Sequence, residues 1–144
     1  MGDLFVFWTH GVAVQVEDMG APGLHIQRAG WGAEIRQNRD TANWFHFAMP
    51  TPLLMGDAGV NLRSVSVHFG SSHGITIRTV RVHEAAVVVF DAGDLSHDSL
   101  GSTQLDLSVP ERPATGPIVI CVNVEFTGDD ARIVFVGARA WFGR

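Results

Sequence analysis

Lysine and tyrosine are absent from this chain of 144 residues, and cysteine occurs once, at Cys121. Without lysine there is no internal Schiff base and no lysine nucleophile, and without tyrosine one common general acid is gone. A single thiol excludes an internal disulfide and a cysteine zinc cluster, and its place inside a strand-like run points to packing. No run of about eighteen apolar residues is present to span a bilayer as a helix. The opening Met1-Gly-Asp-Leu-Phe-Val-Phe-Trp8 lacks the basic region and small-residue cleavage site of a secretory signal, so the expectation is a cytoplasmic protein. Clusters of positive charge are missing too. The ten basic residues, all arginine, are dispersed among fifteen acidic ones for a formal net charge of −5, which argues against a nucleic-acid partner because phosphate binding draws on clustered cations.

Convincing helical periodicity is also lacking. What the chain has instead is period two, clearest at Ile118–Phe126, where Ile118, Ile120, Val122, Val124 and Phe126 share one face while Val119, Cys121, Asn123 and Glu125 share the other. Strand-like segments recur at Leu4–Trp8, Val12–Val16, Leu24–Arg28, Trp44–Met49, Asn61–Phe69, Ile75–His83, Val87–Phe90, Gln104–Val109, Ile118–Phe126 and Arg132–Ala138. Turn chemistry separates them at Met19–Gly23, Pro50–Pro52, Gly70–Gly74, Asp91–Asp94, Pro110–Pro113 and Gly128–Asp130. This pattern predicts a single all-β domain over residues 1–144, an antiparallel β-sandwich of jelly-roll type, with a closed β-barrel as the alternative. Ala33–Asn43 reads as a loop with at most one helical turn. A hairpin closed by Gly70–Gly74 sets Phe69 against Ile75 and Val67 against Ile77, and the later phase change to Val80 and Val82 calls for a β-bulge near Arg78–Thr79, in preference to a strand that changes side as it crosses the sandwich. Val65, Val67, Phe69, Ile120, Val122, Val124 and Ile133 are the expected core. Ala85–Phe90 and Ile133–Ala138 are apolar on both faces, as in a central covered strand or one that buries its second face in a homo-oligomer.

At Trp8-Thr-His-Gly11, Gly30-Trp-Gly32 and Asn43-Trp-Phe-His-Phe-Ala-Met-Pro-Thr-Pro52 the chain resembles an uncharacterised family of small microbial β-sandwich proteins. The likeness extends to the Ile118–Phe126 strand and the aromatic C-terminus, although Gly137-Ala-Arg-Ala-Trp-Phe142 departs from the small and acidic ending of that group. The family has no assigned activity, so the resemblance implies a fold and carries no catalytic residue.

Candidate functional residues follow from the alternation. Trp44 and His46 leave one face of their strand and Phe45 and Phe47 the other; with the phenylalanines in a core, Trp44 and His46 form an aromatic and hydrogen-bonding pair able to stack on a sugar ring. Trp8 and His10 repeat the Trp-x-His offset. If the two strands were neighbours, His10 and His46 could approach as metal ligands, with His25, Glu34, His68 or His83 as a third, although no His-x-His spacing supports this and no cofactor is expected. Arg36 and Arg39, beside Asn38 and Asp40, could bind a carboxylate or sulfate or pin their own loop. Asp91–Asp98 is rich in oxygen donors but fails the EF-hand order. Ser72-His73 and Ser96-His97 lack a nucleophile elbow, and Gly70–Gly74 lacks the lysine and helix of a phosphate loop. The expectation is a non-enzymatic β-sandwich module that binds a small molecule or glycan in a lectin-like way or serves in assembly; the alternative is a small metal- or histidine-dependent enzyme built on His10 and His46.

Overall fold

The computed structural model describes residues 4–52, 54, 55, 58–93, 95 and 101–144. Among these residues thirteen strands run in chain order: β1 (Leu4–His10), β2 (Gln15–Val16), β3 (His25–Ala29), β4 (Gly32–Arg36), β5 (Thr41–Met49), β6 (Leu54–Met55), β7 (Ala58–Gly59), β8 (Asn61–Ser71), β9 (Ile75–Glu84), β10 (Val87–Ala92), β11 (Gly101–Pro113), β12 (Ile118–Phe126) and β13 (Arg132–Gly143), with one 3-10 turn at Gly11–Ala13. The alternation of the sequence dictates two stacked sheets, since each strand has one apolar face to cover. One sheet has the order β11-β8-β13-β4-β3, with β1 also paired to β13 beyond the end of β4; the other has the order β10-β9-β12-β5-β2. Every pairing within these sheets is antiparallel. Because the sheets keep separate edges, the fold is a sandwich and not a closed barrel. The chain crosses repeatedly from one sheet to the other, as in a jelly roll.

The core lies between the sheets. Phe45, Phe47, Val80, Val82, Ile120, Val122 and Val124 of the five-stranded sheet meet Leu62, Val65, Val67, Phe69, Ile133, Phe135 and Phe142 of the six-stranded one, all essentially inaccessible to solvent. Phe135 contacts the rings of Phe45 and Phe47 at centroid separations of 5.2 and 5.4 Å, so aromatic packing bridges the two layers. All seven residues expected in the core are there.

Three local readings change. Ala33–Asn43 is no loop: Gly32–Arg36 forms a strand paired with both β3 and β13, and β5 already begins at Thr41. Charged and polar residues fill the outward positions of β4, which hid its period from the sequence. The segments around Gly70–Gly74 do not form a hairpin either. β8 and β9 belong to different sheets, and Phe69 and Ile75 enter the core from opposite sides. The crossing turn uses Gly74 at φ 82°, where an added Cβ would lie 2.6 Å from the Gly128 backbone. The bulge is where the phase change required it, but against β12: the register skips from Asn123↔Thr79 to Val124↔Ile77, leaving Arg78 as the extra residue. Val12–Val16, read as one strand, is split between the 3-10 turn and the two-residue β2.

The two apolar runs have different causes. In β13 the register with β8 skips Val136, so Ile133 and Phe135 point inward before the bulge and Ala138, Ala140 and Phe142 after it. Val136 itself is exposed. Val87–Ala92 is the edge of its sheet, with Val87 63% and Val88 46% exposed. Neither run is a strand covered on both sides.

Candidate functional site

The pairing registers order the outer face of the six-stranded sheet into cross-strand rows. Asp106, Ser66, Arg139 and Trp8 stand side by side across β11, β8, β13 and β1. Gln104, His68, Gly137 and His10 form the adjacent row, and Ser108, Ser64, Trp141 and Val6 the one on the other side. At an inter-strand spacing of about 4.8 Å, each row reaches roughly 14 Å across the sheet.

Within this face the Arg139 guanidinium lies 5.0 Å from the Trp8 ring centroid and 5.1 Å from that of Trp141, so the two indoles are at most about 10 Å apart with a cation between them. Trp8 is 52% exposed. Its ring also meets the His68 imidazole at 5.1 Å. Gly137 lies beneath this ring: a Cβ there would meet Trp8 Cε3 at an ordinary 3.8 Å but would press on the Thr9 carbonyl oxygen at 3.0 Å. Arg139 is held at its far end by Asp106 at 3.8 Å, and Asp106 in turn accepts hydrogen bonds from the Ser66 hydroxyl and the Gln104 amide. Those two donors, more than the arginine, hold the Asp106 carboxyl below its usual range. Burial, followed by the nearby Arg139 charge, pulls the His68 imidazole below its ordinary value, and Asp106 opposes that only in part. Ser64, Ser66, Asp106, Leu107, Ser108, Arg139 and Trp141 line an open depression of about 270 Å³.

Trp44 and His46 share the outer face of the other sheet. Here Gln15, His46, Cys121, Arg81 and Asp91 make one row, with Trp44, Asn123 and Thr79 beside it. Arg81 stands 4.9 Å over the Trp44 ring and pairs with Asp91 at 3.0 Å, while His46 Nε2 meets Glu17 Oε1 at 3.0 Å. Cys121 forms the floor, and burial pushes its thiol up to about 11. Together Glu17, Trp44, His46, Arg81, His83 and Cys121 line a depression of about 280 Å³.

The remaining sequence candidates are dispersed. His10 caps its own 3-10 turn, its Nδ1 accepting from the Val12 N–H at 3.0 Å. It belongs to the six-stranded sheet and His46 to the five-stranded one, so the strands expected to be neighbours are not paired. Arg36 and Arg39 line a third depression of about 530 Å³ near the loop ends, but Arg36 is engaged by Glu34 at 2.9 Å and Arg39 lies between Asp40 at 3.9 Å and Asp129 at 3.8 Å. Among the described residues no cluster of three histidine, cysteine or carboxylate side chains is arranged to hold a metal. The Ser72 hydroxyl is spent on the backbone at Arg132. Asp94, Ser96, His97 and Asp98 lie outside the described residues.

Sequence reasoning missed Arg139, Trp141, Ser66 and Asp106, and singled out His68 only as a third metal ligand. Arg139 and Trp141 do alternate in the C-terminal strand, which was a usable signal, but only the register with β1 shows that they flank Trp8.

No protein-family model and no curated relative matches the chain. Solved structures do. A xylan-binding module, CBM15, superposes with a TM-score of 0.52 at 12% identity, covering 98% of this chain and 97% of its own. A family 35 carbohydrate-binding module from Clostridium thermocellum gives 0.50 at 8% identity over 94% and 97%, and a mutant of a family 29 carbohydrate-binding module gives 0.50 at 12% over 98% and 93%. The chain thus has the β-sandwich fold of these modules over nearly its whole length.

Proposed function

We propose that the protein is a non-enzymatic carbohydrate-binding module whose ligand lies along the outer face of the six-stranded sheet, across Trp8 and Trp141. The observation that carries this reading is the pair of outward tryptophans separated by one guanidinium on a row of hydroxyl, amide and carboxylate groups. Indole faces take the apolar faces of sugar rings, and the polar groups beside them can meet the ring hydroxyls. Arg139 and Asp106 neutralise each other, so the face suits a neutral chain better than an acidic one. The fold likeness to xylan-binding CBM15 makes xylan the first ligand to try.

Isothermal titration with xylohexaose, cellohexaose and mannohexaose tests it. At least one should bind. Trp8→Ala and Trp141→Ala should each weaken that binding about tenfold or more, the loss expected of a buried aromatic anchor, while melting temperatures stay near that of the parent. Binding unaffected by both substitutions would contradict the assignment.

A further inference from the structure

We propose that the outer face of the five-stranded sheet is a second sugar-binding site, centred on Trp44, Arg81 and His46, so that one chain holds two glycan segments on opposite sides. The inference rests on reading the first face as a glycan platform. Its own support is a repeated construction. On each face a tryptophan stands beside a central strand whose neighbouring position is small, Gly137 in one case and Cys121 in the other. On each, an arginine lies about 5 Å over the indole and is tied back by an aspartate, Arg139 by Asp106 and Arg81 by Asp91. On each, an imidazole sits within the same rows, His68 or His46.

The differences specify the ligand. The first face has two indoles and serves an extended chain. The second has one, half-buried, at the side of a depression of about 280 Å³, near the lower end of the range for small-molecule sites. A single indole beside it suits one or two sugar units, such as a chain end or a side branch. Arg81 is taken up by Asp91, and the Glu17 carboxylate lies against His46, so the recess offers an acidic sugar no attraction and the ligand is neutral. His83 and Asn123 supply further polar contacts at its margin. Two sheets and a filled core separate the sites, at a layer spacing of about 10 Å before side chains are added. A short oligosaccharide cannot reach both, and a long polysaccharide is cross-linked.

Titration of the full chain with xylohexaose should give two molecules per chain. Trp44→Ala and His46→Ala should each leave one, and Trp8→Ala should leave the other. His46 is a partly exposed surface position, so His46→Ala decides the matter if Trp44→Ala lowers the melting temperature. With long soluble xylan the parent should produce turbidity that each single variant abolishes while still binding. A stoichiometry of one, indifferent to Trp44→Ala and His46→Ala, would overturn the second site and leave the first standing. A stoichiometry of one that survives Trp8→Ala but not Trp44→Ala would overturn both the bivalency and the assignment of the first face. No binding of xylohexaose, cellohexaose or mannohexaose would remove both readings together.

Discussion

The two outer faces of this sandwich rest on one core yet differ in how their aromatic groups are presented. On the six-stranded sheet the tryptophans come from a strand near the N-terminus and from the last strand, Trp8 exposed and Trp141 partly buried, and share a single arginine. On the five-stranded sheet one tryptophan is capped by one arginine beside a hollow of about the same volume. The same elements, indole, guanidinium, imidazole and carboxylate, therefore yield a two-indole platform in one place and a single-indole recess in the other. On the proposed reading, the number of adjacent indoles sets the length of glycan each face holds.

The largest perturbation should strike both faces at once. Val122 is fully buried in β12, whose outward neighbours Cys121 and Asn123 floor the smaller face and whose inward side packs on the larger sheet. Val122→Asp places an unpaired carboxylate in that core and should cost about 3–5 kcal/mol, visible as a fall in the denaturation midpoint with both binding activities lost. Unchanged stability would mean that β12 is turned the other way.

Gly137→Ala should separate the faces. The new methyl group would stand 3.0 Å from the Thr9 carbonyl oxygen, so β1 must give by a few tenths of an ångström, carrying Trp8 relative to His68 while leaving Trp44 in place. Glycan affinity at the larger face should fall several-fold, and the Cys121 side should be indifferent. Equal effects on both would break the distinction between them.

The smallest effect is on pH. Burial and Arg139 hold the His68 imidazole below its usual value of about 6.5. The groups facing it are Gln104 and Asp106 from β11, Ser66 from its own strand, Arg139 from β13 and Trp8 from β1. The folded state favours the neutral ring, so its stabilising contribution is present above about pH 6.5 and is lost as pH falls through the lowered folded value. Tryptophan fluorescence should change below pH 6.5 as imidazolium forms against Trp8, and His68→Gln should remove that transition. A transition that persists in the variant would come from elsewhere.

Much of the scaffold was legible in the sequence because period two is a local property. Ile118–Phe126 reads directly as β12 with its buried face, and the break between Ile77 and Val80 reads as a bulge. Sheet membership is not local. Phe69 and Ile75 alternate as hairpin partners would, yet a three-residue crossing sends them to different sheets. The same limit shaped the site. Trp44 and His46 could be placed together because they lie on one strand, whereas Trp8, Arg139 and His68 meet through pairings between residues more than fifty positions apart. The apparent Trp-x-His repeat lies on two separate sheets for the same reason.

The most direct measurement is a nuclear magnetic resonance titration that follows the four indole N–H signals, from Trp8, Trp31, Trp44 and Trp141, as xylohexaose is added. Trp31 lies in the turn between β3 and β4 and is 47% exposed, outside both faces, so it reports non-specific effects. Trp8 and Trp141 should shift together along one saturable curve while Trp31 stays fixed. A bound oligosaccharide that leaves Trp8 and Trp141 unmoved would contradict the assignment of the six-stranded face.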